Sequence, residues 1–255
     1  MNEDPIRLYE NEEFQMAAHD TLRPGGLNLT IKAMDIAGFA ERSRILDIGS
    51  GCGKTVEYLE EVLHMQAVGI DISEKLAAKA KKLNSTLEVV VGDVCRLPYV
   101  DCSVDGVLCE CVFNLLEDRP LALAQMNRVL KPGGKLIVSD LYLREKTGEF
   151  SGLPLVSCIN GITARDFLIE EVTAAGFQLI NWQDETHVYK EFVAELIMKY
   201  GAMSIFWEAL VDSCEKACAI QSNLKNVRIG YYLSVWQKDT GLYTQSITEA
   251  NHASA

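Results

Sequence analysis

The stretch that decides the fold is Arg44-Ile45-Leu46-Asp47-Ile48-Gly49-Ser50-Gly51-Cys52-Gly53-Lys54-Thr55. Its apolar beginning predicts a buried strand, three alternating glycines follow, and helical periodicity begins at Thr55. Glycines at such a turn let the backbone approach a ligand closely, and the first amides of the helix face that ligand. The turn therefore predicts a binding site for a nucleotide-like molecule.

The spacing of the glycines distinguishes three kinds of nucleotide site. A phosphate-binding loop needs a glycine five residues before Gly53, where this chain has Ile48, so ATP and GTP are excluded. A dinucleotide fingerprint that starts at Gly49 needs its third glycine at position 54, which is Lys54. An NAD-dependent oxidoreductase therefore stays as the alternative interpretation.

Strand-like and helical segments alternate on both sides of this turn. The alternation predicts a doubly wound α/β fold with a mostly parallel, seven-stranded sheet. Thr163 and Asp166 resemble a capping box that opens a helix. The predicted strands are 44–48, 67–70, 87–91, 106–108, 135–139, 177–182 and 231–237, and the predicted helices include 27–39, 55–64, 73–83 and 121–129.

We expect one domain over residues 1–240. It comprises an N-terminal helical cap (1–40), a cofactor-binding core (41–140) and a substrate-side half (141–240) with a helical insertion at 190–220. Residues 241–255 are polar without periodicity and are expected to form a flexible tail. The insertion is expected to cover a substrate pocket or to form a homodimer surface.

Composition narrows the function further. The chain of 255 residues has 24 basic and 36 acidic side chains and a net charge of -12, which disfavours a nucleic-acid partner. No apolar stretch approaches the roughly 20 residues of a membrane span, so a cytoplasmic location is expected. The eight cysteines are scattered and are expected to be free thiols.

Two carboxylates follow the next two predicted strands. Asp71 ends Val68-Gly69-Ile70-Asp71, and Asp93 follows the third strand in Gly92-Asp93-Val94. A carboxylate at a strand tip can accept hydrogen bonds from both hydroxyls of a ribose. The alternative for Asp71 is a cap of the following helix.

These motifs, with Asp105-Gly106-Val107-Leu108 and the turn Lys131-Pro132-Gly133-Gly134, occur in order between residues 43 and 140. Over this range the chain resembles class I S-adenosylmethionine-dependent methyltransferases, in particular the branch that methylates quinones and arsenite. The resemblance implies S-adenosylmethionine as cofactor and a small-molecule methyl acceptor. It also implies the cofactor-binding residues Asp47, Gly49, Ser50, Gly51, Gly53, Asp71, Ile72, Gly92, Asp93, Val94 and Cys109.

Candidate catalytic groups belong at the carboxyl ends of the strands. Asp140, expected directly after the fifth strand, is the candidate general base or substrate anchor, and Glu110 is the second candidate. Arg23, ahead of Gly25 and Gly26, is a candidate partner for the carboxylate of the cofactor. A non-catalytic cofactor-binding protein of the same fold stays open.

Four cysteines are candidate ligands for a soft centre: Cys111, Cys158, Cys214 and Cys218. The segment around Cys158 resembles the one with which arsenite methyltransferases hold arsenic. Three thiolates would have to converge for that chemistry, and buried packing is the alternative role of these thiols. The hypothesis predicts that Cys158 lies within about 10 Å of Cys109, Cys111, Cys214 or Cys218.

Overall fold

The sheet is the centre of the protein. The computed structural model describes residues 7–18 and 21–240, and within them seven strands pair in the order β3-β2-β1-β4-β5-β7-β6. β1 to β5 are parallel, and β7 runs antiparallel to both of its neighbours. This confirms the predicted fold class. The strands are β1 Arg44–Ile48, β2 Gln66–Asp71, β3 Val89–Val91, β4 Val104–Glu110, β5 Leu130–Lys146, β6 Phe177–Asp184 and β7 Val227–Lys238.

Helices cover both faces of the sheet, because neighbouring strand residues alternate between the faces. Ile45 packs among residues of α2, α3 and α4, whereas Leu46 belongs to the cluster that contains α5 and α6. The helices are α1 Glu12–Ala17, α2 Gly26–Ala37, α3 Lys54–Glu61, α4 Glu74–Leu83, α5 Arg119–Val129, α6 Arg165–Ala174, α7 Thr186–Tyr200, α8 Met203–Val211 and α9 Cys214–Leu224.

The helical insertion between β6 and β7 consists of α7, α8 and α9. It is longer at both ends than the predicted 190–220. Its apolar residues share one buried cluster with the N-terminal residues Leu8, Phe14 and Leu22. The Tyr200 hydroxyl donates a hydrogen bond to Glu13 at 2.6 Å. The insertion therefore holds the N-terminal segment against the body of the protein.

β5 is much longer than the predicted 135–139. Its residues 135–146 pair with β7, so the strand continues past the end of β4 at Glu110. Asp140 consequently lies inside the strand, opposite Tyr232, and the prediction that it directly follows the strand is wrong. β7, the antiparallel partner, satisfies the backbone groups of this extension. β7 comes from a segment about 90 residues further along the chain.

The predicted capping box is also wrong. α6 begins at Arg165 with Ala164 as its N-cap, and no side chain caps the helix there. Thr163 instead accepts a backbone hydrogen bond from Leu143 of β5 at 2.9 Å, while its own hydroxyl is buried without a partner. Thr163 therefore pairs with β5 instead of capping α6.

No helix in the described part of the chain is long and apolar enough to cross a membrane. The predicted tail, 241–255, lies outside the described residues.

Candidate active site

The glycine loop joins β1 to α3 and is shaped by close packing. Gly49 and Gly51 have φ of +69° and +54°, a region that glycine enters without the cost of a side chain. A Cβ atom at Gly49 would lie 2.1 Å from Cγ2 of Val112, whereas at Gly51 the nearest atom, in Leu22, would be 3.7 Å away. Glycine is therefore required at position 49, because Val112, two residues after the end of β4, leaves no room for a side chain there.

A cavity of about 640 Å³ opens beside this loop at the carboxyl ends of the strands. It is lined by the glycine loop, the ends of β2 and β3, the residues after β4 and the N-terminal segment. Most of the predicted cofactor-binding residues meet there: Gly49, Ser50, Gly51, Asp71, Ile72, Gly92, Asp93 and Val94.

Three predicted cofactor-binding residues do not line this cavity. Gly53 is the N-cap of α3, and a Cβ there would meet Leu87 and Ala80, so its role is in packing. Cys109 is fully buried among the residues that pack on α5. Asp47 is buried within β1, and burial, together with Glu110, raises the pKa of its carboxyl well above the usual value.

Asp71 links the end of β2 to the glycine loop. Its Oδ2 accepts the backbone N–H of Gly51 at 2.7 Å, and its Oδ1 accepts that of Ser73 at 2.8 Å. Ser73, not Asp71, caps α4 by accepting the N–H of Leu76. Each carboxylate oxygen keeps further acceptor capacity for a ligand in the cavity. Burial raises the pKa of Asp71.

Asp93 lies at the neighbouring strand end. Its side chain accepts the N–H of Cys95 at 2.8 Å and so caps the 3-10 turn Val94–Arg96. The side chain is exposed and lines the cavity next to Gly92. The sequence placed this residue correctly because strand and turn are local features.

Glu110 belongs to a buried ionic network that joins three elements. Its Oε2 accepts a hydrogen bond from Nη2 of Arg23 at 2.8 Å, and the side chains of the pair are only 8% and 1% exposed. Thr30 of α2 donates to the same carboxylate at 3.0 Å, and Thr55 of α3 lies at 3.4 Å. Glu110 lines the cavity, but its carboxylate is engaged in holding Arg23 and α2 in place.

Two buried polar atoms of the lining residues have no hydrogen-bond partner within the described protein. They are Nε of Arg23 and Oγ of Ser50. Buried polar groups are normally paired, because an unpaired one costs about 1 to 3 kcal/mol. Arg23 and Ser50 thus keep two unused polar groups within the wall of the cavity.

Asp140 does not line this cavity. Its carboxylate is fully buried and accepts backbone N–H groups from Asn114 at 2.9 Å and from Leu141 at 2.7 Å. Burial raises the pKa of this carboxyl to about 7, although these two hydrogen bonds oppose the shift. Proton exchange near neutrality is therefore accessible to Asp140, but direct contact with a ligand in the cavity is not.

The candidate thiols separate into two groups. Sγ of Cys111 and Sγ of Cys158 are 4.0 Å apart and buried, so the predicted approach of Cys158 to another candidate thiol is confirmed. Cys214 and Cys218 are exposed on α9. Among the described residues, the third group that joins the buried pair is Asp140, not a thiol. The three-thiolate arrangement expected for arsenite is not assembled.

The N-terminal segment contributes cavity residues that the sequence analysis missed. Arg7, Tyr9 and Glu10 line the cavity. Leu8 donates its N–H to the carbonyl of Val156 at 3.1 Å, which fixes this short turn across the opening. Sequence could not reveal this contact because nothing near residue 8 marks a partner almost 150 residues away.

The fold and the site have the features expected of a class I methyltransferase domain: a seven-stranded sheet with one antiparallel strand, a glycine loop after the first strand and carboxylates after the next two. Residues 46–138 match the family described as "methyltransferase domain". This match confirms the resemblance to class I S-adenosylmethionine-dependent methyltransferases.

Individual relatives agree with this assignment. The chain is 33% identical over 110 residues to a demethylmenaquinone methyltransferase of Thermotoga maritima, which covers 43% of this chain and 48% of the relative. It is 27% identical over 154 residues to an arsenite methyltransferase of Halobacterium salinarum, with coverage of 56% and 39%. The chain thus spans less than half the length of these curated relatives.

The whole fold is similar to that of a solved methyltransferase. A phosphoethanolamine N-methyltransferase 2 of Haemonchus contortus, in complex with S-adenosyl-L-methionine, superposes with a TM-score of 0.72 at 20% identity. The alignment covers 89% of this chain and 56% of that one. The structural similarity therefore extends beyond the range of the sequence match.

Proposed function

We propose that this protein is an enzyme that transfers the methyl group of S-adenosylmethionine to a small-molecule acceptor. One observation carries the proposal: the glycine loop, Asp71 and Asp93 line a single cavity together with Arg23 and Ser50. The methyltransferase match over residues 46–138 favours methyl transfer over NAD-dependent chemistry.

Each polar part of this cofactor has a matching group in the cavity. Asp71 has acceptor capacity for the two ribose hydroxyls, and the segment from Asp93 to Val94 would hold the adenine. Arg23, which lines the same cavity as the glycine loop, would hold the carboxylate of the amino-acid end. When bound, the cofactor supplies an electrophilic methyl group on a sulfonium.

The acceptor would bind at the end of the cavity formed by the N-terminal segment and the residues after β4. Tyr9, Cys111, Leu115 and Val156 line it there. A displacement at a methyl group requires an aligned nucleophile and the exclusion of water. The segment Leu8–Glu10 can exclude water, because Lys75 fixes it at the carbonyl of Glu10 at 2.7 Å.

The experiment that tests this function is calorimetric titration with S-adenosylmethionine and S-adenosylhomocysteine. Asp71→Ala removes the ribose acceptor. Hydrogen bonds to a charged group contribute roughly 1.5 to 3 kcal/mol each, so we expect binding at least tenfold weaker. Glu74→Ala, which removes an exposed carboxylate three residues away, is the matched control and should bind like the wild type.

Substrate-dependent release of S-adenosylhomocysteine then tests catalysis. Phosphoethanolamine and a demethylated quinone are suitable first acceptors, since they appear in the names of similar proteins. If the folded wild-type protein binds neither form of the cofactor, the proposal is wrong. Binding without turnover of any acceptor would favour the non-catalytic alternative.

A further inference from the structure

Three potential metal ligands meet in the interior between β4, β5 and the turn Cys158–Gly161. The sulfur atoms of Cys111 and Cys158 and a carboxylate oxygen of Asp140 all lie within 4.8 Å of one another, and all three residues are buried. Cys111 directly follows β4, Asp140 lies inside β5, and Cys158 begins the turn. We call these three residues the thiol-carboxylate cluster. Of the three, only Cys111 also lines the cavity of the proposed methyl transfer.

The distance between the two sulfurs fits a shared cation. Zinc lies about 2.3 Å from a thiolate sulfur, so ideal tetrahedral ligands would place two sulfurs about 3.8 Å apart. The observed 4.0 Å needs an S–metal–S angle of only about 120° at the same bond length. No rearrangement of the backbone is required to bring both thiols onto one ion.

The surrounding groups hold the ligands in position. Backbone N–H groups of Asn114 and Leu141 fix the Asp140 carboxylate, as hydrogen bonds to a metal ligand commonly do. The Tyr9 hydroxyl donates to Sγ of Cys158 at 3.0 Å, and the Tyr231 hydroxyl lies 3.7 Å from Sγ of Cys111. These phenols can stabilise the thiolates that a metal needs.

The backbone at Cys111 is itself unusual. Its φ is +59°, a left-handed conformation that is unfavourable for a residue with a side chain. Its N–H donates to the Ser139 carbonyl at 2.7 Å, which helps to hold this conformation. Strained residues of this kind concentrate at functional sites.

A cation also solves an electrostatic problem at this place. Two thiolates and a carboxylate would bring three negative charges into the interior, and a divalent cation would offset two of them. Without one, the hydrogen bond with Cys111 and burial raise the pKa of Cys158 well above its usual value, so this thiol stays protonated. Cys111 lines the cavity, which gives an ion a route to the cluster.

We propose that Cys111, Cys158 and Asp140 form a binding site for a thiophilic divalent cation of the Zn²⁺ class. Binding displaces the two thiol protons to solvent and forms two metal–sulfur bonds and one metal–oxygen bond. This chemistry is independent of the methyl donor.

The test is a titration with Co²⁺, whose thiolate complexes absorb in the near ultraviolet. It is carried out with a non-thiol reductant. The protein carries Cys214→Ser and Cys218→Ser, so that the two exposed thiols of α9 do not compete for the metal. We expect one equivalent to bind with thiolate-to-cobalt absorption. Cys158→Ser and Asp140→Asn should each weaken binding at least tenfold. Cys109→Ser, a buried thiol outside the cluster, is the matched control.

A second measurement keeps the test valid if a cluster variant does not fold. Alkylation of each cysteine in the wild-type protein is followed by mass spectrometry with and without Zn²⁺, and protection of both Cys111 and Cys158 is expected. Absence of protection, or unchanged cobalt binding in folded Cys158→Ser protein, overturns the proposal. Cofactor titration of Cys158→Ser should match the wild type, so the cation site and the proposed function are tested separately.

Discussion

Replacing Glu110 by Gln leaves the Arg23 guanidinium buried without its anionic partner. The ion pair is 2.8 Å long, with side chains 8% and 1% exposed, so water cannot replace the lost carboxylate. Removing one member of a buried pair costs about 3 to 5 kcal/mol. We therefore expect Glu110→Gln to lower the free energy of unfolding by about this amount.

The assay is urea unfolding of the ligand-free protein, with the free energy obtained by linear extrapolation. Glu57→Gln is the matched control, because Glu57 pairs with Lys54 at the same 2.8 Å but on the surface. Exposed pairs contribute about 0 to 1 kcal/mol, and the control should lose no more than that.

A double variant separates the ion pair from other effects of the substitution. Arg23→Met/Glu110→Gln removes the buried cation as well, so it should be more stable than the two single losses predict. Contacting residues show coupling energies of about 0.5 to 3 kcal/mol, and we expect the upper part of this range. If Glu110→Gln is as stable as the control but abolishes turnover, Glu110 is the catalytic base and the anchoring role is refuted.

Three further substitutions test the site. Burial raises the pKa of Asp47 in the folded protein above its unfolded value of about 4. Ionisation of Asp47 therefore lowers the free energy of unfolding as the pH rises from about 4 through the higher folded pKa. In urea unfolding, Asp47→Asn should be as stable as the wild type near pH 3 and more stable than the wild type at pH 8. Gly51→Ala should lose about 1 to 2 kcal/mol through its left-handed backbone, whereas Gly49→Ala should lose a further 1 to 3 kcal/mol through its clash with Val112. Equal losses at the two glycines, or an Asp47→Asn difference that does not change with pH, would contradict these assignments.

The parts of the site that the sequence predicted correctly are local. The loop from Gly49 to Gly51 follows β1 directly. Asp71 ends β2 and Asp93 follows β3, and hydrophobic periodicity identifies both strands. In a parallel sheet such ends meet at one edge, so their common cavity follows from the order of the elements alone.

The parts that could not be predicted depend on contacts between distant segments. Arg23 meets Glu110 across 87 positions, and Cys111 meets Cys158 across 47. Hydrophobic periodicity places each residue on an element but does not specify which loops pack together. The true length of β5 likewise depends on pairing with β7, which supplies the hydrogen bonds for residues beyond the predicted end.

The positions of the two predicted acid–base residues, Glu110 and Asp140, bear on the kind of methyl acceptor. Glu110 is held by Arg23 and two threonine hydroxyls, and Asp140 is buried away from the cavity lining. Neither carboxylate is therefore placed to remove a proton directly from an acceptor in the cavity. For an acceptor that is already nucleophilic near neutral pH, alignment and exclusion of water would be sufficient. The insertion helices pack against the N-terminal segment and do not line the cavity themselves.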